Sequence, residues 1–116
     1  MTVLDQIFGK PKALIAMAHF QPLPGQPLHD SSRGVRGLVD DLRRDVEILA
    51  ASGFDGIMFC NEGDRPYRTT VGPEVPAVMS AAIVELTAGL DIPFGVDVLW
   101  DPRAAIAVAR ATGARW

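Results

Sequence analysis

A single cysteine in 116 residues rules out an internal disulfide, so the fold must rest on its core and hydrogen bonds, and Cys60 fits a reducing compartment. Long apolar runs are also missing. Ala13–Ala18 and Ala104–Ala109 fall far short of the roughly 18 residues of a membrane-spanning helix, which leaves peripheral contact as the only membrane role to expect. The segment from Met1 to Lys10 has no basic region followed by an apolar core, so no secretory signal is expected and a cytoplasmic location is. Positive charge is scarce. Eleven Lys and Arg stand against 14 Asp and Glu, a net charge of −3 without a basic stripe, which excludes nucleic acid as an expected partner. No Walker loop, GxGxxG, CxxC or HExxH occurs, so the sequence names no cofactor and leaves the question of a metal open.

What is present is an ordinary globular composition, 48% apolar and 22% charged, in a chain long enough to bury one core. The apolar run Ala13–Ala18 predicts a first strand, closed by His19 and the loop Phe20-Gln-Pro-Leu-Pro-Gly25. Val35, Leu38, Val39, Leu42, Val46 and Leu49 form one apolar stripe of a helix with Ile48 off it, and an Asp40–Arg44 pair is expected on its solvated face. Gly53 is placed to end that helix. Gly56–Cys60 predicts a second strand, followed by a polar loop and a helix that starts at Pro73 and ends near Gly89. Pro93–Leu99 predicts a third strand, with Asp101 and Pro102 opening a last helix that stops at Gly113.

Strands starting near 13, 56 and 93, each followed by a helix, have the rhythm of parallel βαβ units, all parallel and adjacent. Ala51-Ser-Gly-Phe54 leads into the second strand, and Ala111-Thr-Gly-Ala114 leads up to Arg115 and Trp116 in the same way. The expectation is therefore an α/β chain of three parallel βα units, residues 1–116, forming the N-terminal portion of a (βα)8 TIM-type barrel cut at the start of strand four. Such an open set of strands would depend on the remaining barrel half or on oligomerisation. A small open α/β domain is the alternative.

In a parallel α/β sheet, chemistry collects where the strands end. His19 ends the first strand, Asn61, Glu62 and Asp64 follow the second, and Asp97 and Asp101 close the third. Strand alternation puts Phe94, Val96, Val98 and Trp100 on one face and Gly95, Asp97, Leu99 and Asp101 on the other; likewise it separates Ile57, Phe59 and Asn61 from Met58, Cys60 and Glu62. With the bulky rows under the helices, His19, Glu62 and Asp97 converge on an inner rim as candidate catalytic residues, able to act as general acid and base or to bind a divalent metal. Asn61, Asp64 and Asp101 are the candidate substrate-binding residues beside them. Structural employment competes for each. His19 can hydrogen-bond a loop carbonyl, Asp101 can cap a helix, and Glu62 and Asp64 can be solvated or paired with Arg65. Asp97, inside an apolar run, carries a desolvation cost that a strand-end site would explain. Cys60 reads as an inward, apolar-flanked and inert core thiol.

The segments Ile15-Ala-Met-Ala-His19-Phe-Gln-Pro-Leu-Pro-Gly25, Asp55-Gly-Ile-Met-Phe-Cys-Asn-Glu-Gly-Asp-Arg-Pro-Tyr67 and Phe94-Gly-Val-Asp-Val-Leu-Trp100 resemble the BtpA/SgcQ family. The resemblance implies a (βα)8 barrel of a little over twice this length. The family takes its name from a proposed part in photosystem I biogenesis in cyanobacteria; other members occur in non-photosynthetic bacteria and archaea, some beside sugar-metabolism genes. It commonly carries Asn where this chain has Asp97, and a larger polar residue in place of Cys60. Two functions follow. One is a barrel enzyme acting on a small metabolite, a phosphorylated sugar or nucleoside-type compound, with the usual phosphate site lying after strands seven and eight. The other is a noncatalytic membrane or photosystem biogenesis or assembly factor.

Overall fold

A computed structural model describes residues 1–116 as four helices and three strands in the order α1 (Val3–Phe8), β1 (Ile15–His19), α2 (Gly34–Ala51), β2 (Gly56–Cys60), α3 (Glu74–Thr87), β3 (Phe94–Asp97) and α4 (Pro102–Thr112). The strands form one parallel sheet in the order β1-β2-β3, the βα repeat of a TIM-type α/β fold. As the alternation predicts, Ala16, Ala18, Ile57, Phe59 and Val96 are buried against the helices. Phe59 is central there, with Phe20 at 6.3 Å and Phe94 edge-on at 6.0 Å between ring centroids. Leu38, Val39, Leu42 and Val46 of α2 and Val75, Met79, Ile83 and Leu86 of α3 close this core, each large side chain contributing about 1.5–3 kcal/mol of burial.

The helix boundaries follow local chemistry. Asp101 caps α4 by accepting from the N–H groups of Arg103 and Ala104, Pro102 opens it, and Gly113 ends it at φ 84°. Pro73 stands one residue before α3 as its cap, and Pro76 is tolerated in the first turn. On the outer surface the expected Asp40–Arg44 pair does not form. Arg44 instead reaches Asp41, which also holds Arg33, while Asp40 pairs with Arg36. Arg36 and Arg43 both reach Glu85 and thereby tie α2 to α3. These exposed pairs add little to stability.

The sequence reading has no counterpart for α1, which is too short to show an apolar period. Its capping box joins Thr2 and Asp5, and Gly9 ends it at φ 69°. Phe8 is thereby held against Trp116, ring centroids 5.1 Å apart, at the N-terminal end of the sheet. A Cβ on Gly95 would stand 2.3 Å from the Trp116 indole, and one on Gly56 would stand 2.9 Å from both rings, so the two glycines make room for this aromatic pair. Arg115 donates its N–H to the Phe94 carbonyl and Trp116 accepts from the Val96 N–H, which runs the last two residues along β3.

Candidate functional site

The register of the sheet brings His19, Cys60 and Asp97 into one row, because His19 is paired with Cys60 and Cys60 with Asp97. Directly paired residues of neighbouring parallel strands project from the same face, and strands lie about 4.8 Å apart. The row occupies the final position of each strand, on the face opposite the helices. His19 is exposed, Asp97 half-buried and Cys60 buried. The Cys60 thiol donates weakly to Asp97 Oδ2 at 3.9 Å. Burial first, then the negative charges of Asp97 and Glu62, push the thiol up to about 12, so it stays protonated and unreactive. Its expected apolar flanks are corrected to a histidine and an aspartate, since pairing register rather than chain neighbours decides what lies beside a strand residue.

Glu62 stands beyond the end of β2, in the turn that Asp64 closes by donating its N–H to the Asn61 carbonyl. Its carbonyl accepts from the Tyr67 hydroxyl at 2.8 Å and from Arg65 Nε at 3.4 Å, and its carboxylate lies close enough to the same hydroxyl to help, after burial, to push it up. No group of three or more His, Cys, Asp or Glu side chains is gathered closely enough to hold a metal ion.

The three residues expected to bind substrate are employed in joining loops. Asn61, fully buried, accepts from the Leu99 N–H at 2.7 Å and donates to the Leu99 carbonyl at 3.4 Å and to Asp64 Oδ2 at 3.2 Å. Asp64 accepts from the Leu23 N–H at 2.8 Å and so ties the loop after β1 to the loop after β2. Burial raises its carboxyl, against the lowering effect of those donors. Asp101 accepts from the Val71 N–H at 3.0 Å as well as from its own helix, and these backbone donors hold its carboxyl below the usual range. Gly63 completes the junction. A Cβ there would lie 2.7 Å from the Pro22 nitrogen and 2.9 Å from the Phe20 carbonyl oxygen, so only glycine lets the two backbones meet.

Sequence reasoning placed Trp100 under the helices. The structure corrects this: β3 ends at Asp97 and the chain turns, which breaks the alternation and leaves Trp100 58% exposed on the rim. It lies beside Tyr67, ring centroids 5.2 Å apart, with its N–H bonded to the Arg68 carbonyl. Neither aromatic was singled out as a site residue, and the turn that presents them has no periodic signature. The larger surface cavity, about 190 Å3 and lined by Val46, Leu86 and Leu90 among others, lies at the C-terminal end of α3, away from this rim.

Residues 10–116 match the BtpA family. The chain belongs to that family. It is 43% identical over its whole length to the sgc region protein SgcQ of Escherichia coli, covering 43% of that protein. It is 34% identical over 104 residues to a protein of Archaeoglobus fulgidus, an alignment that takes in 89% of this chain and 41% of the relative. It is 29% identical over 115 residues to the photosystem I biogenesis protein BtpA of Synechocystis, covering 97% of this chain and 39% of that protein. The chain thus spans about two fifths of the length of these relatives. No solved structure matches.

Proposed function

We propose that this chain contributes one side of the catalytic mouth of a BtpA-family (βα)8 barrel enzyme, cytoplasmic, that acts on a small metabolite of the phosphorylated sugar or nucleoside type. The observation that carries it is the row His19–Cys60–Asp97 at the C-terminal edge of a parallel sheet, with Glu62 beyond it in the loop after β2. An imidazole and two carboxylates at that edge can remove a proton from one substrate atom and deliver one to another. His19, the exposed end of the row, is the group a substrate reaches first. The buried thiol between His19 and Asp97 is a spacer that excludes water and takes no part in proton transfer. Asn61, Asp64 and Asp101 hold the three loops in place and act through the residues they position.

The test is turnover of a panel of sugar phosphates and nucleoside phosphates by the full-length protein and its variants. His19→Ala and Glu62→Gln should each lower kcat/KM at least 100-fold with the melting temperature nearly unchanged, because neither side chain packs in the core. Asp97→Asn should be milder, since asparagine is what the family resemblance implies at that place. Full activity in both the His19 and the Glu62 variants would overturn the catalytic assignment. The alternative, a noncatalytic biogenesis or assembly factor, is what the name of the Synechocystis relative describes for that protein; it is favoured if no member of the panel is turned over.

A further inference from the structure

Of the three groups given a catalytic role, Glu62 alone lies outside a strand, so the sheet does not fix it. His19 and Asp97 are held by the β1-β2-β3 ladder. Glu62 is held instead by a clamp on its carbonyl oxygen, which accepts from the Tyr67 hydroxyl at 2.8 Å and from Arg65 Nε at 3.4 Å. The first bond is the shorter, and its donor is half-buried whereas Arg65 is exposed. The hydroxyl is therefore the firmer jaw of the clamp.

Tyr67 is in turn anchored from the neighbouring loop. Its ring leans on Trp100, just after β3, with ring centroids 5.2 Å apart and planes tilted by 57°, a geometry that favours aromatic pairs. The Trp100 N–H donates to the Arg68 carbonyl at 2.9 Å, one residue beyond Tyr67, so ring and backbone together join the two loops. A continuous line of contacts thus runs from the Glu62 carbonyl through the hydroxyl and both rings to the end of β3, where Asp97 stands. The Glu62 carboxylate adds to the pairing. Burial first, then that carboxylate, push the Tyr67 phenol up, with Arg65 opposing them, which keeps the hydroxyl protonated and a donor at neutral pH.

We propose that Tyr67, braced by Trp100, is the positioning residue that sets Glu62 beside the end of the His19–Cys60–Asp97 row. It acts through Glu62: its hydroxyl fixes the main chain that carries the carboxylate, and the loop after β3 fixes the hydroxyl. This rests on the catalytic reading of Glu62 and deepens it, because the aim of that carboxylate then depends on the loops after both β2 and β3. The turn itself survives without the clamp, since the Asp64 N–H still donates to the Asn61 carbonyl and the Arg65 N–H to the Gly63 carbonyl. What is lost is the direction in which Glu62 leaves the turn.

Tyr67→Phe in the full-length protein tests this, because it keeps the ring on Trp100 and removes only the hydroxyl. The amides of Gly63, Asp64 and Arg65, each hydrogen-bonded in the parent, should exchange about threefold to tenfold faster, while that of Ile57 at the centre of the sheet stays within twofold. In protein labelled with 13C-tyrosine, the Tyr67 resonance, assigned by its loss in Tyr67→Phe, should titrate at lower pH in Glu62→Gln than in the parent, since the charge that disfavours the phenolate is gone. On any sugar or nucleoside phosphate that the parent turns over, Tyr67→Phe should lower kcat at least tenfold and leave KM within twofold. Trp100→Ala should follow it, and Trp100→Phe, which restores a ring for Tyr67 to lean on, should recover most of the loss. Unchanged exchange in the turn of Tyr67→Phe, or an unshifted phenol in Glu62→Gln, overturns the clamp whether or not any compound is turned over. A loosened turn with kcat intact, where Glu62→Gln is inactive, overturns the positioning role and spares the catalytic assignment of Glu62. Full activity in Glu62→Gln removes that assignment and the positioning role with it, while the exchange result still reports on the clamp.

Discussion

Replacing Asn61 is the sharpest way to test how the rim is held together. Its amide is completely buried and satisfied at both ends, joining the end of β2 to Leu99 at 2.7 Å and 3.4 Å and to Asp64 at 3.2 Å. In Asn61→Ala the Leu99 N–H, which lies outside β3 and has no other acceptor, is orphaned at a cost of about 1–3 kcal/mol. The buried Asp64 carboxylate loses one of its hydrogen-bond donors, which accounts for about another 1.5–3 kcal/mol. Together these predict a loss of about 2.5–6 kcal/mol, a large share of the roughly 5–15 kcal/mol that holds a domain folded. Asn61→Asp discriminates further. It keeps an acceptor for Leu99 but sets a second carboxylate oxygen against Asp64, so it should be at least as damaging at pH 7. Part of that loss should return at pH 5, where the two carboxylates can share a proton. Urea unfolding of the full-length protein at both pH values reads this out through the transition midpoint. A change below about 1 kcal/mol in Asn61→Ala would show that the loops are held by something other than this amide.

The remaining predictions are simpler. Gly95→Ala drives a methyl group into Trp116 and should cost about 1–3 kcal/mol by overpacking, whereas Gly89→Ala, at a site with open space around it but φ 78°, should cost only its backbone strain; thermal melts compare them. Cys60 should resist iodoacetamide at pH 8 in the folded protein and react at once in denaturant, as peptide mapping by mass spectrometry can show; rapid labelling of the folded protein contradicts a thiol pushed up to about 12. Asp101 is held below its ordinary value of 3.8 by backbone donors, so its stabilising effect is complete above that pH and fades as the pH falls through the lowered folded value. Asp101→Asn should therefore flatten the acid limb of a stability profile, and an unaltered acid limb refutes that role.

How much of this could be read from the chain alone depends on how far apart the interacting residues lie. Apolar periodicity and terminal chemistry are local, so the α2 stripe, the Asp101–Pro102 start of α4, the Gly113 stop and the strand β2 were all legible, as was the separation of Ile57, Phe59 and Val96 from Cys60 and Asp97 by strand alternation. A strand's own period says which residues share a face; it is silent on which residue of the next strand stands opposite. The placing of Cys60 between His19 and Asp97 therefore belonged to sheet register. The same holds for the bonds that turned Asn61 and Asp64 from expected ligand contacts into loop ties, since their partners Leu99 and Leu23 lie 38 and 41 residues away. Trp100 reached the rim because β3 stops where Asn61 and Arg68 claim the next backbone groups, and Phe8 met Trp116 over two glycines from opposite ends of the chain. Local preference specified the elements, and only their packing, in which each buried polar group had to find a partner, decided which side chains the rim exposes.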